Sequence, residues 1–323
     1  MLRLTPLDPR YPRQLLELDA PPNPLTVSGE LGPPARRVAI VGSRDANASA
    51  RRFARWLGWA AARAGFVVLS GGAEGVDAAA HRGALAAGGR TWVICGTGKN
   101  YVSPPGHGAL FSRIAAHPGG AVVWPFPDGA QPSWRGNFLR RNGVLVALAD
   151  VVVVAQAGAF SGALNAAGWA RKLGRPLWVA SPEAADLRFL GSVELIRGGA
   201  GIVSTVEEAL SAIGAPPELG PIARPEAPGW QELVRHAASQ KRPIPGLAAE
   251  ENATPPEAPP PALDGPDESS VFSALCSTPQ HMDRLVEKST LPPQRLATAL
   301  LTLALKDVVV EGPEGFFRRK NGA

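Results

Sequence analysis

Cysteine is nearly missing from this chain of 323 residues, where Cys95 and Cys276 stand alone. Two isolated thiols cannot staple a disulfide framework or build a zinc knuckle, and such usage fits a reducing cytosol. No apolar run is long enough to span a bilayer, and Met1–Arg10 lacks a basic-then-apolar leader. A soluble, cytoplasmic protein without a membrane partner is therefore expected. The dinucleotide fingerprint GxGxxG is also missing, which argues against a nicotinamide or flavin cup. Nor does any nucleophile–base–acid set emerge. Asp45, Glu74 and Asp77 are scattered, and no histidine pairs obviously with a serine or carboxylate. These absences point to a binding surface with no cofactor, no metal and no catalytic residues.

What is present begins with bulk. Hydrophobic residues make up 45% of the chain, enough for a sizeable core, and the length suits one large and one small domain. The net charge of +5 leans towards an acidic partner such as nucleic acid, although arginine-rich surfaces are common without one. Short apolar runs at 38–41, 66–69, 91–95, 121–123, 151–154 and 177–179 read as strands buried on both faces. Helical patterns at 49–64, 76–87, 108–116, 138–148 and 162–173 separate them. Such alternation predicts an α/β fold, a Rossmann-like, doubly wound, mostly parallel sheet. Ligands in such sheets sit at the carboxyl ends of the strands.

Four segments are expected: a lead-in over 1–37, the Rossmann-like domain over 38–214, a proline-rich linker over 215–268, and a small domain over 269–320. The linker contains ATPPEAPPPA and is interrupted by WQELVRHAASQKR at 230–242, which could form a short helix. In the last segment, helices at 269–276, 282–288 and 292–305 precede two short strands at 307–311 and 316–319 around GPEG. Three helices and a hairpin make a C-terminal winged helix, which often reads duplex DNA through its third helix. Here that helix, PPQRLATALLTLALK, exposes few basic residues. A protein contact or self-association, DNA binding and a purely structural role all remain open for it.

The motifs gather at the predicted strand ends. VAIVGSR (38–44) leaves a strand through Gly42, which permits close backbone approach; Ser43 adds a hydroxyl, and Arg44 a charge that forks onto phosphate. LSGGAEGVDAAAH (69–81) offers a second loop of backbone donors at Gly71 and Gly72, with Asp77 placed to cap or brace the next helix. His81 has no metal partner in spacing and reads as a satisfied structural histidine. A third glycine loop, Gly96–Asn100, carries Lys99. The richest segment is WRGNFLRRN (134–142), where Arg135, Arg140 and Arg141 surround Phe138 and end at Asn142. Cations that follow a backbone, interleaved with a ring that stacks on bases, are ingredients of a single-strand site. A buried Phe138 with solvated arginines is the plain alternative. Ser161 and Gly162 open one more helix with a hydroxyl and free amides.

Taken in order, VAIVGSR, SGGAEGVDAAAHRGAL, GTG followed by Pro104, FLRRN, SGAL and GSVELIRGGAG resemble the DprA/Smf family of DNA-processing proteins. The opening YPRQLLELDAPPNPLTVSGELG is similar to the lead-in before that family's Rossmann-like domain. The resemblance spans about residues 11–213, and the winged helix adds to it. It implies a cytoplasmic, non-enzymatic homodimer that binds and protects single-stranded DNA and loads RecA recombinase during natural transformation, with single-strand binding protein a possible further partner. On matching positions it implies Arg44, Arg135, Phe138 and Asn142 as pocket residues, with Gly42, Ser43, Ser161 and Gly162 donating to phosphate.

Departures from the family pattern are visible. Gly143 replaces an arginine, Leu139 a proline, Gln156 a glutamate and Ala166 a threonine, and Val122-Val123 replaces a serine–glutamate pair. Arg140 could compensate for Gly143. Starting almost at the YP motif, the sequence is expected to lack the amino-terminal helical domain that many relatives carry. Two other classes stay open. One is a phosphoribohydrolase-like nucleotide-processing enzyme, whose PGGxGTxxE turn corresponds here to Gly158–Asn165 without a glutamate. The other is a transcriptional regulator acting through the winged helix.

Overall fold

The computed structural model describes residues 1–183, 186–216, 265–276, 278, 280–305, 308–311 and 316–319. Most of the linker, including the helix expected at 230–242, and the GPEG turn lie outside the described residues. Elements follow in chain order: β1 (Leu2–Leu4), β2 (Leu25–Gly29), β3 (Arg37–Gly42), α1 (Ala48–Arg63), β4 (Val67–Ser70), α2 (Val76–Ala86), β5 (Thr91–Ile94), α3 (Gly108–Ala116) and β6 (Ala121–Trp124). Then come α4 (Leu139–Leu148), β7 (Val151–Gln156), α5 (Gly162–Lys172), β8 (Leu177–Ala180), α6 (Leu190–Arg197), β9 (Gly201–Val203) and α7 (Val206–Ala212).

These nine strands form one sheet in the order β1-β2-β6-β5-β4-β3-β7-β8-β9. From β6 to β9 all neighbours are parallel, while β2 joins β6 and β1 joins β2 antiparallel. Residues 1–37 are therefore part of the same sheet. β1 escaped sequence reading because it has only three residues, and β2 because it follows the proline-rich run Pro21–Pro24 and carries Thr26 and Ser28. Parallel strands need both faces covered, and alternate residues of one strand serve opposite layers. Val38 and Ile40 enter a core with α1, α2 and α7, whereas Ala39 and Val41 enter one with α4 and α5.

Helix α1 shows why local sequence settles local structure. The Asn47 side chain accepts from Ala50 N–H at its start. Ala50, Ala54, Leu57 and Ala61 then line one buried stripe at helical spacing. Gly65, at φ 85°, stops the helix. Leu57 has no exposed surface, so its truncation to alanine costs about 2–5 kcal/mol.

The chain winds from β3 through β4 and β5 to β6 on one side, then restarts with β7, β8 and β9 on the other. A crevice opens between β3 and β7, where the winding reverses. The C-terminal unit has helices α8 (Pro266–Ala274), α9 (Met282–Ser289) and α10 (Pro293–Leu305), and strands β10 (Gln280–His281), β11 (Val309–Glu311) and β12 (Phe316–Arg319). Its sheet runs β10-β12-β11, a winged helix with its own core around Leu285, Leu296 and Leu300. Phe160 and Leu190 of the large domain pack against that core.

Candidate nucleic-acid interface

The crevice is built where four chain segments meet. As β3 ends, the Ser43 N–H donates to the Gln156 carbonyl (2.8 Å) and the Val76 N–H to the Ser43 carbonyl (3.2 Å). These bonds pull the β3–α1 loop onto both neighbours. A Cβ at Gly42 would lie 2.6 Å from Val76 Cγ2 and 2.9 Å from the Gln156 oxygen, so glycine is required by contact. The second loop is braced from below, as Asp77 Oδ2 accepts from the Gly71 (3.1 Å) and Ala73 (3.3 Å) N–H groups. Burial pushes the Asp77 carboxyl above its usual range, opposed by the Arg141 charge and those N–H donors. Arg141 is 5% exposed and donates from Nη1 to the Ile94 carbonyl (2.6 Å). Its guanidinium lies where a Gly71 side chain would be, 1.9 Å from the ideal Cβ.

The opposite wall comes from α4 and α5. Ser161 caps α5, its Oγ accepting from the Ala163 N–H (3.3 Å). Asn142 Nδ2 donates to the Gly162 carbonyl (3.1 Å) and to Asn165 Oδ1 (3.2 Å), which ties α4 to α5. The Arg44 guanidinium sits over the Phe138 ring, 5.1 Å from its centroid. Gly42, Arg44, Gly71, Phe138, Arg141, Asn142, Ser161 and Gly162 all line this crevice, and His281 of the winged helix closes one side. About 40 Å³ of free space remains, room for a few waters and too little for a nucleobase.

Six of the expected site residues stand differently in the structure. The Phe138 ring is not an open platform: it is 5% exposed, and Arg44 covers its face. Arg141 lines the crevice but is committed to the Ile94 carbonyl, so it holds the loops together rather than reaching into solvent. Lys99 lies off the wall in an ion pair with Asp128 Oδ2 (2.8 Å), the same oxygen that Arg3 meets. Ser43, 1% exposed, and Gly72, whose carbonyl accepts from His107 Nδ1 (2.8 Å), stand behind the lining residues. Arg140 turns away over Phe126, 5.7 Å from the ring centroid, into a separate groove of about 500 Å³. Gly143 and Trp169 share that groove, and a Cβ on Gly143 would meet the Trp169 ring at 2.9 Å. The tryptophan thus occupies the space an arginine side chain would leave through. The Arg135 side chain lies outside the described residues.

Sequence reading missed two participants. Gln156 ends the apolar run of β7, fully buried, and its Oε1 accepts from the Asn47 N–H (2.9 Å). A polar residue closing a buried strand was the available signal. No local signal could have placed His281, which is 4% exposed and reaches the crevice from another domain. Two buried groups match structural roles. His81 Nδ1 donates to Thr91 Oγ1 (2.7 Å), which itself donates to the Val68 carbonyl (2.7 Å), and burial pushes the imidazole down to about 3. Burial likewise pushes the Cys95 thiol up to about 12, so it stays protonated.

Comparison with known proteins places this crevice in a family. The chain matches the DNA recombination-mediator protein A family over residues 3–214 and the DprA winged helix domain over 254–315. It belongs to the DprA/Smf family. Protein Smf of Synechocystis is 31% identical over 98% of this chain and 80% of its own length. A DNA processing protein of Mycobacterium tuberculosis is 38% identical over 57% of the chain, which spans 46% of that relative. Among solved structures, DprA of Streptococcus pneumoniae superposes with a TM-score of 0.60 at 29% identity, over 65% of this chain and 73% of that one. The Helicobacter pylori protein, described for its single-stranded DNA binding mode, gives 0.57 at 28% identity, over 63% and 93%. Among the described residues no helix is long and apolar enough to cross a membrane.

Proposed function

We propose that the chain binds single-stranded DNA at the β3–β7 crevice and presents it to a RecA-type recombinase. In this reading it acts as a cytoplasmic homodimer that protects incoming strands, with single-strand binding protein as a possible further partner. The observation that carries the reading is the Arg44 guanidinium stacked on Phe138 at the mouth of two backbone-donor loops and the α5 N-terminus. A cation held over a buried ring beside oriented amides suits the phosphate of a phosphodiester. Family membership and the Helicobacter pylori relative support the same class of ligand.

Binding, rather than catalysis, is also the better fit to the acids. Asp77 is the one carboxylate among the described residues lining the crevice, and it is buried beneath the N–H groups it accepts from. A nucleotide-processing reaction needs an acid that reaches its substrate, and the Gly158–Asn165 turn offers none. Fluorescence anisotropy with labelled single- and double-stranded oligonucleotides tests the proposal. Affinity for the single strand should be higher and should fall steeply with salt, because each neutralised phosphate releases counterions. Equal affinity for both forms, without a salt slope, would refute it.

A further inference from the structure

Helix α1 begins at the crevice and carries its charge away from it. Asn47, its cap, holds the loop that follows Arg44, and Arg51 Nη1 donates back to the Ala46 carbonyl. Sixteen residues at 1.5 Å each take the helix about 24 Å, from the carboxyl ends of the strands to the opposite edge of the sheet. Its outer ridge reads Arg52, Arg55, Trp59 and Arg63 at helical spacing. The three arginines are exposed and Trp59 is half-buried.

The ridge lacks the partners that normally neutralise such charge. Helix α1 contains no acidic residue, and the sole acid of α2, Asp77, is buried. Neither Arg52 nor Arg55 meets a carboxylate among the described residues, whereas Arg3, Arg10, Arg175, Arg188 and Arg295 each do. Aromatic surface lies between these cations. The Trp56 and Trp59 rings are tilted against each other at 6.4 Å, and Arg63 sits 5.8 Å from the Trp59 centroid. Exposed Arg82 of α2 adds one more cation beside the ridge, because Gly83 lies directly against the Arg55 carbonyl. On the other flank α7 packs on α1 and brings Glu207 and Glu208, which confines the positive band to the α1–α2 side.

We infer that the α1 ridge is a second contact surface for the same single strand, guiding the nucleotides that leave the crevice. Cations spaced along one face follow a phosphodiester backbone, and half-buried indoles between them offer stacking area to any base. A polypeptide partner would need acids in matching register. A single strand needs nothing beyond its own repeating charge, and the α1 N-terminus follows directly on the Arg44 loop that lines the crevice. The inference rests on the crevice being the strand's entry point.

Oligonucleotide length separates the two sites. The full chain is titrated with labelled oligothymidylates of about 5 and about 25 nucleotides, as wild type, as Arg52→Ala/Arg55→Ala and as Arg44→Ala. Both ridge arginines are exposed and alanine favours helix, so the double variant should keep its fold, which circular dichroism checks. It should bind the long strand roughly tenfold more weakly and lower the salt slope by about 1.4, at about 0.7 per lost contact on single strands. Its affinity for the short strand should not change. Equal loss on both lengths, or loss on neither, overturns the ridge. The Arg44 variant should weaken both lengths; if it weakens neither, the crevice reading fails, and the ridge reading fails with it as a continuation. An intact Arg44 effect beside a silent ridge variant rejects the ridge alone.

Discussion

The sheet edge and the winged helix both carry cations, but they use them in opposite ways. In the large domain, Arg44 stands at the crevice mouth over a ring, and Arg52 and Arg55 project from α1 without a carboxylate beside them. In the winged helix several cations are tied to partners of the same domain, while Arg284 is exposed. Arg295 forms a two-pronged pair with Asp267 (2.7 and 2.6 Å), Arg319 donates twice to the Phe272 carbonyl (2.9 and 2.6 Å) and lies 4.2 Å from that ring, and Lys288 donates to Gln280. Helix α10, which would enter a major groove in a duplex reader, has Arg295 as its one charged residue. By residue type alone Arg52 and Arg295 would look alike. Pairing separates Arg52 and Arg55 from Arg295, and this supports the proposal that the α1 side of the large domain meets the strand.

The largest effect expected from breaking this contrast is at Arg44. A charge-assisted contact to phosphate contributes about 1.5–3 kcal/mol, so Arg44→Ala should weaken single-strand binding roughly 10- to 100-fold in anisotropy titrations. Arg295→Ala should change it by less than about twofold. If the two variants exchanged ranks, the contrast would be inverted. Gly71→Ala probes the rigidity beneath Arg44. Its new methyl meets the buried Arg141 guanidinium, and overpacking of this kind costs roughly 1–3 kcal/mol. Urea denaturation should show the loss in the large-domain transition; an unchanged midpoint would mean the loop yields freely.

How much of this could be read in advance varies with range. The central strands were legible because short, β-branched apolar runs such as Val151–Val154, lying between polar residues, suit a doubly covered sheet. The glycine loops and Arg44 followed from strand-end position. Neighbouring residues inside WRGNFLRRN were not separable, because a single helical step decides that Arg141 faces the Ile94 carbonyl while Arg140 faces Phe126. Composition treats those two alike; only the placement of α4 against the sheet distinguishes them. The covering of Phe138 by Arg44 and the arrival of His281 are both long-range contacts, for which the sequence carries no local mark.

Acid should affect the two regions unequally. His81 is buried, and its imidazole is held down to about 3 against an ordinary value of 6.5. Below pH 6.5 the unfolded chain takes up a proton that the folded chain refuses, so stability is full above 6.5 and declines as pH falls towards 3. Between about pH 6.5 and 5, before most carboxylates titrate, this decline should appear in urea midpoints for the large domain. His81→Asn keeps an N–H near the Nδ1 position for Thr91 and should flatten the slope in that window. A slope that persists in the variant would assign the effect to another group.

The smallest expected change concerns the closing contact itself. His281 belongs to a two-residue strand paired with Phe316 and Phe317, and its side chain forms one side of a crevice that has about 40 Å³ free. In the proposed reading the His281 ring narrows the space left for a strand at this crevice. His281→Ala removes the imidazole from that side of the crevice and leaves Arg44, Phe138 and the donor loops unsubstituted. Association with a short oligothymidylate, followed by stopped-flow anisotropy, should then speed up by a few-fold with little change in salt dependence. Slower or weaker binding would mean instead that His281 is itself a DNA contact. In that event the winged helix would join the sheet edge as part of one site, and the contrast in cation use would describe how each half folds rather than which half binds.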